Sequence, residues 1–233
     1  MNRDEHAKRG YLPEDARNFS AAALPTLRTA ARHIAYLINE GYDLKGATAF
    51  VGNRFLLSAR QRLALMRSLA TDRQLALRRA KETEKGPEVW IDGFNTLITL
   101  EVLCSDSLLF SCMDGTVRDL AALRSTYRLI PETDGAVRLL LDALQGMWVQ
   151  TAHILLDEPV SNSGRLKARI AELGEGAAFA LDIQILKDVD RALYGKRCVI
   201  SSDSVILDRC ESWINLAARC AEAQGAQPIK VWE

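Results

Sequence analysis

The stretch Glu88-Val89-Trp90-Ile91-Asp92-Gly93-Phe94-Asn95 decides how this sequence is read. A short apolar run ends in an aspartate, and a turn opens directly behind it. The pattern recurs in Ile154-Leu155-Leu156-Asp157 and in Val199-Ile200-Ser201-Ser202-Asp203. Short apolar and β-branched runs bounded by turn residues read as strands. Working outward, strands are predicted at 88–92, 96–104, 107–113, 153–157, 177–183 and 198–203. Helix-like segments fall at 116–123, 134–149, 163–173 and 204–221. Strands alternating with helices predict an α/β domain of βαβ units, with a mostly parallel sheet flanked by helices. Residues 96–113 read as a hairpin or meander, which would make the sheet mixed.

In an open α/β sheet, ligands bind outside the carboxyl ends of the strands. Parallel strands would set Asp92, Asp157 and Asp203 along that one edge. Converging carboxylates repel one another unless a cation neutralises them. Oxygen ligands suit Mg²⁺ or Mn²⁺, ions that serve phosphoryl chemistry by activating water and neutralising phosphate charge. Asp114, Asp119 and Asp208 are further candidate ligands, with Arg118 placed to pair with either of the first two. The competing reading is that each aspartate caps the turn or helix behind it, a position Asp favours.

Small polar residues surround these acids. Gly93 would let the backbone approach a ligand, and Asn95 could bond a phosphate or a metal-bound water. Ser161-Asn162-Ser163 leads into a helix whose N-terminus would suit an anion. Ser202 opens the last helix in the same way. A plain helix start explains both segments equally well.

The chain has 233 residues and no net charge, with 30 basic and 30 acidic side chains. The zero hides a split. Residues 1–86 hold 16 basic against 9 acidic residues, and the remainder carries the opposite surplus. The basic excess concentrates in 44–81, where nine Lys and Arg face one acid, Asp72. Here helices are predicted at 21–39 and from the Ser58 N-cap onward, extending toward residue 80, with 41–55 as a loop. Arg54 and Arg60 flank Ser58, and Arg60 and Arg67 share a helical face. These arginines would contact RNA phosphates or dock on the acidic half, and the sequence leaves both open. Lys85-Gly86-Pro87 is the sharpest break, dividing a helical basic module, 1–86, from an α/β domain, 87–233.

Composition excludes several classes. No run approaches the roughly 20 apolar residues that span a bilayer. The first ten residues lack the apolar core of a secretory signal. The five cysteines form no CxxC pair, and His6, His33 and His153 share no ligand spacing with them, which argues against zinc. The cysteines read as buried hydrophobes of a reduced cytoplasmic protein. His153 reads as structural.

The segments 88–95 and 199–208 resemble the first and last acidic motifs of PIN-like and NYN-like metal-dependent ribonucleases. Over 43–213 the chain resembles an uncharacterised two-part family of unknown function. In that family a helical module with a stretch like 45–68 precedes a PIN-like module with stretches like 92–101, 113–120, 157–166 and 201–208. The resemblance implies a PIN-like Rossmannoid domain. The expected activity is a Mg²⁺- or Mn²⁺-dependent phosphodiesterase acting on RNA. Asp92, Asp157 and Asp203 would ligate the metal, and Asn95, Ser161, Asn162, Ser163, Ser202, Arg54, Arg60 and Arg118 would bind substrate. The alternatives are an inactive PIN-like module that binds RNA or a protein, and a small-nucleotide hydrolase. A homodimer or a protein partner is compatible with each; a membrane is not.

Overall fold

The computed structural model describes residues 9–121 and 126–233. Its first part is helical: α1 (Asp15–Asn18), α2 (Leu24–Asn39), α3 (Leu44–Arg54), α4 (Ala59–Ser68) and α5 (Asp72–Lys81). Helix α2 carries Pro25 in its first turn and buries Leu27, Ala31, Ile34 and Ile38 at helical spacing. Ser58 caps α4, and Gln61 returns a bond to the Ser58 backbone. The helix does not run on to residue 80. Leu69 turns extended, and a second capping box built by Thr71 and Gln74 starts α5.

Residues 41–55 are not a loop. Asp43 accepts a 2.6 Å bond from Gly46 N and caps α3. Two glycines and an asparagine inside α3 weaken its helical signature, and packing supplies what propensity lacks. The helices enclose Leu27, Ile34, Ala47 and Leu65, and Phe110, Leu120 and Val231 from later in the chain complete that core.

The second part contains β1 (Glu88–Asp92), α6 (Gly93–Cys104), β2 (Phe110–Ser111), β3 (Val117–Arg118) and α7 (Thr133–Gly146). It continues with β4 (Thr151–Asp157), α8 (Ser163–Leu173), β5 (Ala180–Leu186), α9 (Val189–Leu193) and β6 (Val199–Ile200). The chain then forms α10 (Ser204–Arg209), β7 (Trp213–Ile214) and α11 (Leu216–Ala223). The main sheet has the order β5-β4-β1-β6-β7, with every pairing parallel. In register, Trp90 pairs with His153 and Val199, and His153 with Asp182. One sheet face, with Val89, Ile91, Ile154 and Leu156, packs with residues of α6, α7 and α8. The other buries Leu155 and Val199 with Val189, Leu193, Ile206 and Leu207 of α9 and α10.

The α/β expectation therefore holds, and in this second part four local expectations fail. Residues 96–104 belong to α6, not to a strand. Their β-branched residues cost only tenths of a kcal/mol each in a helix. The segment is apolar on nearly every side because the helix is buried on nearly every side. Only Phe110–Ser111 of 107–113 is strand, and it pairs with β3 in a separate antiparallel hairpin, so the main sheet is not mixed. That hairpin also replaces part of the helix predicted over 116–123, of which 122–123 lie outside the described residues. The helix predicted over 204–221 is interrupted by β7, two residues hidden between helical patterns.

Among the described residues no helix is long and apolar enough to cross a membrane. All five cysteines are free. Cys112, Cys210 and Cys220 are buried as expected, whereas Cys104, at the end of α6, is exposed and Cys198 is half-buried. His153 lies in β4, bonded to Asp182 at 2.8 Å and Glu88 at 3.0 Å and stacked on Trp90.

Candidate active site

Strand β1 lies between β4 and β6: the chain runs outward through β4 to β5 on one side of it, then returns past it to β6 and β7 on the other. Such a reversal opens a crevice at the carboxyl edge. Four adjacent strands deliver an acid there. Asp92 ends β1, Asp157 ends β4, Asp203 follows β6, and Asp190 sits in the short helix after β5. These four carboxylates line a cleft of about 390 Å³ together with Asp119 and Arg67. Phe94 and Ile98 of α6 and Pro159 and Val160 after β4 form its apolar walls.

Asp92 is the most perturbed acid. Its burial pushes the carboxyl up to about 8, and the charges of Asp203, Asp157 and Asp190 push the same way. The Ser201 hydroxyl opposes them with a 2.8 Å bond to Asp92 Oδ2. Burial, followed by the charge of Asp190, also raises Asp157. Asp190 is raised by burial and then by Asp203 and Asp188. The acids therefore sense one another across the cleft. Their all-oxygen donor set and surplus negative charge match the chemistry of a hard divalent cation. Among the described residues, however, no three His, Cys, Asp or Glu side chains stand close enough to share one ion. The carboxylates face a common space without closing into a ligand set.

The backbone around them is tightly held. Asn95 Oδ1 accepts from Ser202 N at 2.8 Å and from Ser202 Oγ at 3.0 Å, tying α6 to the β6 turn. Asp203 Oδ1 accepts from Val205 N at 2.7 Å and so caps α10 while lining the cleft. Asp203 therefore caps a helix and borders the cleft at once. Gly93 serves packing: a Cβ there would stand 2.6 Å from the carbonyl oxygen of Leu155 and from Leu156 Cδ2. Its smallness lets α6 leave β1 directly against β4.

Asp119 reaches the cleft through an irregular turn. Thr99 Oγ1 and Ala121 N donate to its carboxylate at 2.9 and 2.7 Å, and Arg67 Nη1 lies 3.4 Å from it. Asp114 and Asp208 are not at the cleft edge with the other acids. Asp114 Oδ2 accepts from Arg78 at 2.8 Å and from Arg118 at 2.6 Å, and Asp208 takes the other side of Arg78. These bonds hold Asp114 below the usual carboxylate range even though burial pulls the other way.

The remaining candidates separate in the same manner. Arg118 is buried and spent on Asp114, the Ser202 carbonyl and the Arg67 carbonyl, so it supports the turn that carries Ser202. Arg60 binds Asp15 and the Gly10 and Leu120 carbonyls, away from the cleft. Arg54 is exposed over Phe55. Ser161 and Asn162 hold the Tyr127 backbone, with Ser161 Oγ donating at 3.0 Å and Asn162 Nδ2 at 2.6 Å to the same carbonyl. Ser163 begins α8 behind them and does not line the cleft.

Asp190 escaped the sequence reading. Its signal was present, since the apolar run Ile183-Gln184-Ile185-Leu186 is followed by Asp188 and Asp190. The intervening Lys187 masked the likeness to the other three motifs. Arg67 was visible as one of nine basic residues and as sharing a helical face with Arg60, not as a neighbour of the acids. Four of those nine reach the second part of the chain: Arg60, Arg67, Arg78 and Lys81 bond to Leu120, Asp119, Asp208 and Leu207, respectively. Much of the basic surplus is therefore an internal interface.

The family model described as a domain of unknown function, DUF5616, matches residues 81–219, and the one described as a protein of unknown function, DUF434, matches 26–81. An uncharacterised protein of Methanocaldococcus jannaschii, MJ0935, is 34% identical over 186 residues, covering 78% of this chain and 89% of that protein. No solved structure matches the chain.

Proposed function

The chain belongs to the DUF5616 family, a family of unknown function, and from its cleft we propose that it is a divalent-metal-dependent phosphodiesterase acting on RNA. The observation that carries this reading is the gathering of Asp92, Asp157, Asp190 and Asp203 in one crevice at the carboxyl edge of the sheet, beside the Arg67 guanidinium. The resemblance of 88–95 and 199–208 to PIN-like acidic motifs points to the same chemistry.

Mg²⁺ or Mn²⁺ would be held among Asp92, Asp157 and Asp203 only once these carboxylates draw closer, since among the described residues they do not close into a ligand set. A bound ion of this kind supplies an activated water and neutralises charge developing on phosphate. The side chains themselves have separable tasks. Asp92, buried and joined to Ser201, fixes the floor of the cleft. Asn95 locks the Ser202–Asp203 turn and with it the direction of Asp203. Arg67 presents positive charge to an incoming phosphate. The Phe94, Ile98 and Val160 walls lower the local polarity and strengthen these interactions.

The test is cleavage of single-stranded RNA by the purified chain with Mn²⁺ or Mg²⁺, read on a sequencing gel. Asp92→Asn and Asp203→Asn should each lower the rate at least about a hundredfold, the scale of losing one preorganised electrostatic group. Cleavage by both variants at the wild-type rate would refute the assignment. Among the described residues no three-residue ligand set closes, which favours a second reading, a module that binds RNA without cutting it. RNA binding that persists without cleavage under any divalent cation would establish that reading instead.

A further inference from the structure

The acidic cleft does not end at Asp203. A second cavity, of about 210 Å³, adjoins it, and the two share Arg67, Asn95, Asp119 and Asp203 at their junction. The smaller lobe is built across the two parts of the chain. Leu44 of α3, Met66 of α4 and Leu69 form an apolar wall. Ser204 brings a hydroxyl to the lobe, and Ser202 and Gln74 border it with polar groups engaged by Asn95 and by Thr71 and Asp208, respectively. Arg78 and Arg118 also border it, but both are buried and spent on Asp114 and Asp208. Arg67 is different. Its side chain is 31% exposed, and among the described residues its guanidinium bonds run through Nη1 alone, to Asp119. Its other N–H donors remain available at the junction.

The order of chemistry across the junction is thus acidic cleft, guanidinium, then a small lobe with one apolar and one polar side. A nucleoside phosphate complements the last two in order: its anion meets the guanidinium, and its hydroxylated sugar and flat base with apolar faces meet the polar and apolar sides of the lobe. We infer that the smaller lobe holds the single nucleoside next to the scissile phosphate, with Arg67 gripping that phosphate where the lobes meet. The lobe is at the small end for a ligand site and takes one nucleoside unit, not a run of bases. Among the described residues no aromatic side chain lines it, so the base is held by apolar contact with Leu44 and Met66 and not by stacking. The helical part thereby becomes a wall of the substrate site.

This inference rests on the phosphodiesterase reading and deepens it, yet it is tested by binding without turnover. The full-length chain in Mg²⁺ is titrated with adenosine 5′-monophosphate and separately with inorganic phosphate, by calorimetry or NMR. Leu44→Trp, and from the polar side Ser204→Trp, fill the lobe at half-buried positions. Each should weaken the nucleotide about tenfold and leave phosphate unchanged. Arg67→Gln should weaken both, with Arg67→Lys recovering part of the phosphate affinity. Nucleotide binding that is undetectable, or that both tryptophan variants leave intact, overturns the inference. RNA cleavage by the wild-type chain alongside that result leaves the phosphodiesterase reading standing. Conversely, the expected binding pattern without RNA cleavage supports the nucleoside lobe and removes the activity.

Discussion

Ser201 Oγ donates to Asp92 Oδ2 at 2.8 Å and accepts from Asp203 N at 3.0 Å, so one hydroxyl joins the acids of two strands. The bond favours the charged form of Asp92, but burial and three neighbouring acids outweigh it and leave the carboxyl at about 8. An unfolded chain would return it to about 3.9. The folded state therefore holds this proton more tightly. The contribution to stability is fully present below about pH 4 and is lost as pH rises through about 8. In a chelating buffer, Asp92→Asn should flatten this decline and be more stable than wild type at pH 8 by about 2 kcal/mol, the scale of relieving a buried charge. Urea melts at pH 5 and pH 8 check this, and parallel pH profiles for the two proteins would contradict it.

The glycine behind Asp92 makes a second prediction. Gly93→Ala would set a methyl 2.6 Å from the Leu155 carbonyl oxygen, which belongs to a central strand and cannot move aside cheaply. Overpacking of this kind costs about 1–3 kcal/mol. The loss should appear as a lower urea midpoint, and RNA cleavage below the melting range should suffer as α6 shifts and carries Asn95 with it. An alanine variant with wild-type stability would show that α6 and β4 are not held this close in solution.

The acidic edge was legible because two strands end in the acid itself and the third reaches Asp203 after only two serines, and strand ends are where turn chemistry shows most clearly. Asp190 was not, because it sits inside a short helix that Lys187 and Asp188 separate from its strand. Helix α6 was misread for a physical reason. Thr96, Leu97, Ile98, Thr99, Leu100 and Val102 are all buried, so a helix enclosed on every side shows no polar stripe and reads like strand. Pairings across the two parts, such as Arg78 with Asp208 and Arg67 with Asp119, leave no local pattern at all. They follow only once the fold has brought distant segments together.

Those cross-chain pairs separate structural acids from site acids. The side chains of Asp114, Arg78 and Arg118 are 1%, 3% and 8% exposed and form one buried ion cluster. Removing one member of such a cluster leaves an uncompensated buried charge and costs about 3–5 kcal/mol. Asp114→Ala should therefore lower the urea midpoint steeply at neutral pH, and Mn²⁺ should not restore it. A metal-ligand role would produce the opposite pattern, a modest loss in stability and an altered dependence on Mn²⁺.

The two arginines beside Ser58 should diverge for the same reason. Arg60 grips the fully buried Asp15 through Nε at 2.9 Å and Nη2 at 2.6 Å, and its remaining bonds go to the Gly10 and Leu120 carbonyls. Arg60→Ala strands the Asp15 carboxylate and should cost about 3 kcal/mol. Arg54, exposed at the end of α3, should change stability by less than about 0.5 kcal/mol when replaced by alanine. If Arg54 meets RNA phosphate, its loss appears instead in the salt dependence of binding, where the log–log slope should fall by about one. Thermal melts and a salt titration on the two variants separate these roles. An Arg60→Ala protein that melts like wild type but loses RNA affinity would return Arg60 to the nucleic-acid surface.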